Sequence, residues 1–559
     1  MSKISPASGS DGPSPVVSSH NSDTDLKRPS AVVTNPVSDA SSLSDESLKD
    51  RNTTFDNAGL DDAFYEPIDS YEGKHRYDPK FEWDPKEERK LVRKIDWRIC
   101  TWACLMFFAL QLDRGNISQA LSDNMLGDLK LNTNDYNTGQ TIFLVSFLAA
   151  ELPSQLISKK LGPDNWIPIQ MVSWSIVASL QAFLSGKGSF YATRALIGLI
   201  EGGFIADVVL YLSYFYTGKE LPIRLAFFWA AYQSTQIVAA FLAFGILRMR
   251  GLHGMGGWRW LFALEGTLTG VIGVISWFYL PPSPTQTASW FRGKGGWFNV
   301  REEKIMVNRI LRDDPGKGTM HNRQALSLRL LWESFTDYDM WPIYLMGLTW
   351  QIPMATMVAY LTLQLRAAGF DTFETNLLTI PAYVLFILQL LFWTWFSEKV
   401  NMRIIVVLIA QFWTLPVLIA LAVIPSTASA WTKFALATLL VGHPYAHAIL
   451  VAITSRNAGT VRTRTVASAL YNMFIQAGSI IASNIYREKD KPLYRVGNRV
   501  LIAIVIYNIF MVLGARYYYI RKNRNRAAIW DAMSKDEKAH YLRTTTEKGN
   551  KRLDFRFAI

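Results

Sequence analysis

The strongest constraint in this sequence is the recurrence of apolar blocks about 20 residues long, the length a helix needs to cross a bilayer. Twelve such blocks are expected at 97–120, 138–160, 166–184, 189–214, 222–247, 258–280, 341–366, 373–396, 402–424, 429–455, 460–486 and 496–520. Lipid offers no partner to backbone amides, so blocks of this length and composition must satisfy them internally, as helices. The sixth block stops at Leu280-Pro281-Pro282-Ser283-Pro284, where prolines end a helix. A polar connector, 281–340, separates it from the seventh. Six spans, a connector and six spans form a chain of two similar halves. The expected fold is an all-α membrane protein of 12 transmembrane helices, with halves at 81–280 and 341–520.

The remaining segments are polar. Residues 1–80 are rich in Ser, Asp, Pro and Asn and too poor in aliphatics to bury a core, so a solvated tail is expected, with Ser41, Ser42, Ser44 and Ser47 as phosphorylatable positions. Residues 81–94 mix charge and apolar groups as an interfacial helix would. Val300 to Leu311 reads as an amphipathic helix on the membrane surface, and 521–559 as a second tail. The N-terminus has no apolar h-region and so is not a secretory signal; the first span is expected to serve as the membrane signal. These polar segments dilute the mean hydropathy to +0.09 although 50% of the residues are hydrophobic.

The net charge is +12. Lys and Arg lie between the apolar blocks rather than among aromatics on one domain, which argues against nucleic acid. Arg89, Lys90, Arg93 and Lys94 before span 1, Lys159 and Lys160 between spans 2 and 3, and Arg521, Lys522 and Arg524 after span 12 place both termini in the cytoplasm by the positive-inside rule. Arg248, Arg250 and Arg259 around loop 5–6 break that rule. They are either an anion-attracting outer mouth or ordinary loop charges. The two cysteines, Cys100 and Cys104, lie in one helix and imply no disulfide framework.

Within span 1 stands Leu112-Asp113-Arg114-Gly115-Asn116. A charge at the bilayer centre costs roughly 2.5–3.5 kcal/mol on insertion scales, so Asp113 and Arg114 must face protein or water. Span 4 carries the second charged set, Arg194 and Glu201, seven apart and so on one face. Gly198 and Gly202 make a small-xxx-small pattern that admits a neighbouring helix. Two acids and two bases at similar depth suggest the pairs Asp113 with Arg194 and Arg114 with Glu201. A buried network of this kind seldom outperforms apolar packing in stability, which favours a functional role over a structural one. Glu151 either supports this network or caps a helix break at Pro153. Asp207 lies off the Arg194/Glu201 face, and Glu265 in span 6 is assigned to packing or gating. The second half is nearly uncharged. Its polar candidates are Trp350 and Gln351 in span 7, His443 and His447 in span 10, and Asn472 and Gln476 in span 11. No carboxylate or cysteine completes a metal site with the two histidines, so no metal or cofactor is expected.

These motifs carry a resemblance. Leu112-Asp113-Arg114-Gly115-Asn116-Ile117, Glu151-Leu152-Pro153-Ser154-Gln155, Lys160-Leu161-Gly162-Pro163, Arg194 to Gly203 and Gly257-Trp258-Arg259-Trp260-Leu261-Phe262 are similar to those of the fungal anion:cation symporters of the major facilitator superfamily, the allantoate permease family. Thr375 to Pro381, Tyr471-Asn472 with Gln476, and Asp554-Phe555-Arg556-Phe557 also match. The resemblance covers residues 81–559. Leu121 to Asn124 and Asn132 to Asn137 look most like its sulfate and sulfonate transporters. It implies import of a small anion, such as sulfate, a sulfonate, allantoate, nicotinate or pantothenate, together with protons. Asp113 and Glu201 are then the proton carriers, and Arg114 and Arg194 their charge partners and the anion's contacts. Trp350, Gln351, His443, His447, Asn472 and Gln476 are expected at the substrate, in a plasma-membrane protein working as a monomer. Two departures stand out. The acidic-basic loop between spans 2 and 3 is reduced to Lys159-Lys160-Leu161-Gly162-Pro163-Asp164, and Ala206 stands where relatives have a proline, implying a less kinked span 4. A nutrient sensor on the same fold is the alternative. A membrane enzyme lacks support because no metal-ligand set or nucleophile–base pair stands out.

Overall fold

The computed structural model describes Pro67, Asp69 and residues 71–559, apart from 218–219, 314–327, 401–402, 459–460, 546 and 548. The expected polar tail and its serines lie outside the described residues up to 66. All twelve spans are helical, and no strand occurs among the described residues. Span 1 is Thr101–Ser122, span 2 Thr133–Leu161, span 3 Pro163–Leu180, and span 4 the two helices Lys187–Glu201 and Phe204–Ser213. Span 5 is Leu221–Ile246 and span 6 Gly257–Tyr279. Span 7 is Trp341–Trp350 with Ile352–Ala368, span 8 Thr372–Val400 and span 9 Arg403–Val423. Span 10 is Ala430–Val441 with His447–Asn457, span 11 Val461–Ala482 and span 12 Arg495–Ala532. Among the described residues eight helical stretches are long and apolar enough to cross a membrane, the two-part span 4 included. Spans 4, 7 and 10 are broken within their length, and these breaks prove central to the site.

Local chemistry sets these elements. The Asn132 side chain accepts from the Asp135 amide while Asp135 accepts from the Asn132 amide, a reciprocal cap that starts span 2. Span 2 then runs through Pro153 without a break, so Glu151 caps nothing there. Span 4 does break. Gly203 adopts φ +91, a left-handed conformation that side chains resist, and the helix ends at Glu201. The expectation of a straighter span 4 fails because Gly202-Gly203, not a proline, supplies the kink. A Cβ on Gly202 would sit 2.6 Å from the Ala150 Cβ and 2.8 Å from the Phe147 carbonyl oxygen. Spans 2 and 4 are therefore in backbone contact, as the small-residue spacing predicts.

The two halves differ in how their ends are held. At the end away from both chain termini, here the distal end, hydrogen bonds join one half to the other. Asn137 in span 2 donates to the Tyr486 carbonyl at 2.7 Å and accepts from the Tyr360 hydroxyl. Asn484 donates to Thr141 at 2.7 Å, Asn376 to Ser122 at 3.0 Å, and the Thr133 amide to Glu488 at 2.8 Å. Tyr136, Tyr360, Tyr486 and Tyr494 pack as a ring cluster over this seam. Loop 5–6 is tied locally: Arg250 pairs with Asp123 at 2.9 Å, and Arg259 donates to the carbonyls of Ala182 and Leu184. Arg250 and Arg259 are thus engaged with structure, whereas Arg248 is exposed and lies over the Phe244 ring.

At the terminal end each half carries its own strap. Residues from Tyr71 onward are packed, earlier than the expected boundary at 81. The helix Pro85–Ile95, capped by Asp84, lies against the connector helix Val300–Asp313. Lys94 pairs with Glu302 at 2.8 Å, Arg301 with Glu87 at 2.8 Å and Arg76 with Glu303 at 2.8 Å. Ile305, Met306, Val307, Ile310 and Leu311 are all buried. The connector helix is therefore docked in protein rather than lying on lipid. In the second half, Asp339 at the start of span 7 accepts from Lys522 and Tyr518 of span 12 and pairs with Lys551 of the tail at 2.7 Å. Phe557 stacks on Tyr519, and Asn523 brackets Phe557 with two hydrogen bonds. These bonds hold the Asp339 carboxyl below its ordinary range although burial, the largest single influence, works the other way.

Candidate functional site

Three spans are discontinuous well inside the layer: span 4 at Gly202-Gly203, span 7 at Gln351 and span 10 between Val441 and His447. Broken helices at mid-depth free backbone groups and open space between the halves, the arrangement found at transporter binding sites. The side chains around these breaks form two unlike walls.

The first wall belongs to spans 1, 2 and 4 and is charged. Arg114 Nε donates to Glu201 Oε2 at 2.7 Å, and Glu201 is fully buried. The Arg114 guanidinium lies over the Phe147 ring, 4.6 Å from its centroid, and that of Arg194 over Phe143 at 4.4 Å. Cation–π contacts of this kind hold a desolvated guanidinium by about 2 kcal/mol. Arg194 Nη2 donates to Gln140 Oε1 at 3.3 Å, and Gln140 in turn donates to the Tyr136 hydroxyl at 2.9 Å. The expected pair Arg114–Glu201 is present. The expected pair Asp113–Arg194 is not: Asp113 accepts from Trp174 Nε1 of span 3 at 3.1 Å. Consecutive residues on a helix point about 100° apart, so Arg114 faces spans 2 and 4 while Asp113 faces spans 3 and 6. Several polar atoms of this wall lack partners, including Arg114 Nη2, Glu201 Oε1, and Nε and Nη1 of Arg194.

The second wall belongs to the C-terminal half and is aromatic. Trp350, at the break in span 7, stands 5.6 Å from the His443 ring and 5.7 Å from Tyr445. Phe386 of span 8 meets Tyr445 at a tilt, centroids 4.7 Å apart, and His447 lies nearly parallel to Tyr471 at 5.9 Å. Gln351 reaches the Tyr445 hydroxyl at 3.5 Å. Trp350 Nε1 is buried without a partner. Span 5 links the walls: Trp229 meets the His447 ring edge-on at 6.2 Å. The Tyr232 hydroxyl interacts electrostatically with Arg114 on one side and with Tyr383 and Tyr445 on the other.

The structure thus brings together Arg114, Arg194 and Glu201, and separately Trp350, Gln351, His443 and His447. Asn472 is exposed and Gln476 half-buried; among the described residues neither hydrogen-bonds the aromatic group. Glu151 is half-buried on span 2, one turn beyond Phe147. Asp207 accepts from Ser154 at 3.2 Å, in the second helix of span 4. Sequence reasoning missed Gln140, Phe143 and Phe147, whose spacing of three and four along span 2 marks one helix face. It also missed Trp174, Tyr232, Tyr445 and Phe386, which no spacing singles out in a chain with 31 Phe and 23 Tyr. Among the described residues no cluster of three metal-ligating side chains occurs.

Comparison with known proteins agrees with this architecture. The sequence profile of the Major Facilitator Superfamily matches residues 103–483, and the chain belongs to that superfamily of membrane transporters; it is not an enzyme. An uncharacterized transporter of Saccharomyces cerevisiae is 46% identical over 489 residues, covering 87% of this chain and 90% of that one. A protein of Agrobacterium vitis named "Putative tartrate transporter" is 33% identical over 233 residues, covering 42% of this chain and 50% of its own length. Among solved structures, the E. coli xylose transporter XylE in a partially occluded inward-open conformation superposes with a TM-score of 0.56 at 15% identity, covering 74% of this chain and 96% of that one.

Proposed function

We propose that this transporter imports a small anion together with protons across the plasma membrane, as an anion:cation symporter of the allantoate permease type, with both termini in the cytoplasm. The Arg114–Glu201 pair carries the reading. A guanidinium held by one carboxylate, with a second nitrogen unpaired, is poised to exchange that carboxylate for an anionic ligand. Protonation of Glu201 weakens the pair, and the anion then satisfies Arg114. The ligand's body rests against Trp350, Gln351, His443 and His447, with Asn472 and Gln476 reached as the halves move and Arg194 adding positive potential. The clasp at the distal end is then the closed outer gate, and alternating access breaks it while sealing the opposite end. Sulfate, sulfonates and carboxylates such as allantoate, nicotinate and pantothenate are the candidate ligands. The partial likeness to a protein named for tartrate adds hydroxy-dicarboxylates.

Purified protein in liposomes, assayed with this panel at two external pH values, tests the reading. Anion uptake that rises with external acidity and is lost in Arg114→Gln supports it. Uptake of neutral solutes only, or anion uptake indifferent to a pH gradient, overturns it.

A further inference from the structure

Glu265 of span 6 takes no part in the pair just described, yet it is among the most deeply buried charges of the molecule, 2% exposed. Neither of its carboxylate oxygens makes a well-formed hydrogen bond. Its polar neighbour is the neutral amide of Asn116 of span 1, in loose contact, and Asp113, one turn away on that helix, has Oδ1 without a well-formed bond. Thr269, one turn beyond Glu265 on span 6, donates to the Ala109 carbonyl at 3.4 Å, one turn before Asp113 on span 1, so the two carboxylates sit on the facing surfaces of the span 1–span 6 contact.

Among the described residues no cation answers them. Arg114 is held by Glu201, and Arg194 by Gln140 and Phe143. Arg259, on the same helix as Glu265, donates to the Ala182 and Leu184 carbonyls. Span 3 offers only Trp174, Ser175 and Ser179 on this side, and the segment after span 5 directs Arg248 onto Phe244 and Phe373. Two buried carboxylates within reach of each other, and without a counter-charge, do not both ionise.

We propose that Asp113 and Glu265 are a proton-sharing pair, with Glu265 the second proton-holding residue, and that arrival of one further proton makes the layer one charge more positive and so favours entry of an anion. The inference rests on the proton-coupled reading above. The proton taken up at the pair leaves from the same pair after the anion departs, and no bond of the anion changes. Glu265 touches no ligand and acts through the charge of the layer.

Two measurements decide it. Infrared spectroscopy of the purified wild type at neutral pH should show a protonated-carboxyl stretch that is lost in both Glu265→Gln and Asp113→Asn. An unchanged band in Glu265→Gln overturns the pair, whether or not any anion is carried. In liposomes, Glu265→Gln should flatten the pH profile of uptake and lower the number of protons per anion, whereas Glu265→Asp should restore both toward wild type. A wild-type pH profile in Glu265→Gln, or uptake that follows a sodium gradient at constant pH, overturns it. If Glu265→Gln does not fold, the band and pH profile of Glu265→Asp and Asp113→Asn carry the same decision. A wild type that carries anions without protons refutes the proposed function, while the infrared band still answers for the pair.

Discussion

The two halves share a helix count and little else in their interiors. The first half buries Asp113, Arg194, Glu201 and Glu265 within its membrane layer. In the second half the buried Asp339, Arg403 and Arg526 all sit at the terminal end, and what reaches mid-depth is a group of rings: Trp350, His443, Tyr445, His447 and Phe386. Charge is expensive to bury and strongly coupled to its neighbours, whereas ring contacts are separable and tolerant of substitution. On the function proposed above, the charged wall is the one to move protons and the aromatic wall the one to discriminate among ligands.

The comparison breaks most directly at Arg114. Arg114→Gln leaves Glu201 buried and unpaired, which should cost about 3–5 kcal/mol of stability and abolish uptake. The double change Arg114→Gln with Glu201→Gln should restore the thermal unfolding temperature without restoring transport. Full transport in the single variant would end the idea of an indispensable charged wall. On the opposite wall, Trp350→Phe removes one unpaired donor but keeps a ring. It should raise KM by about tenfold, near 1.4 kcal/mol, and change ligand preference, with the pH profile unaltered. A shifted pH profile would show that the division between the walls is not clean.

Smaller effects are expected where the halves meet. Asn137→Ala removes two hydrogen bonds at the distal seam, each contributing about 0.5–1.5 kcal/mol. It should increase the labelling of a cysteine introduced at the distal end. Glu488 belongs to the same seam. Burial raises its carboxyl, but the bonds from Thr133 and Lys491 outweigh this and hold it below the ordinary range. A depressed value in the folded state means the contact is present above the unfolded carboxylate pKa and lost only as pH falls through the lower one. Mild acidification should therefore drive uptake without loosening this clasp, and labelling should rise only in strongly acidic medium. The smallest effect on transport is expected from Asp339→Asn. By the same sign its contribution is present at neutral pH and lost in strong acid, so the variant should lower the unfolding temperature at neutral pH while uptake per folded molecule stays near wild type.

The twelve spans were legible because lipid imposes one length on every apolar run. The buried charges were legible because nothing apolar explains them, and the spacing of Arg194 and Glu201 put both on one face. The partner of Asp113 was not legible. Sequence places Asp113 beside Arg114 but does not give the rotation of span 1 against its neighbours, and a turn of 100° sends the two side chains to different helices. The break in span 4 was present as Gly202-Gly203 but was read for close packing rather than for its left-handed residue. The aromatic wall was hidden by abundance, since nothing local separates a ring that lines the seam from one that faces lipid. The connector helix was recognised by its two-faced pattern, but its partner, the charged helix Pro85–Ile95, depends on a contact more than two hundred residues distant in the chain.

The straps at the terminal end have a consequence for how such a molecule can change over generations. Among the described residues the contacts named above fasten each strap to the half it belongs to, so a genetic crossover between Asp313 and Leu328 would exchange one wall for another while keeping those contacts. On the proposed function, new ligand preferences could then be inherited alongside an unaltered proton site.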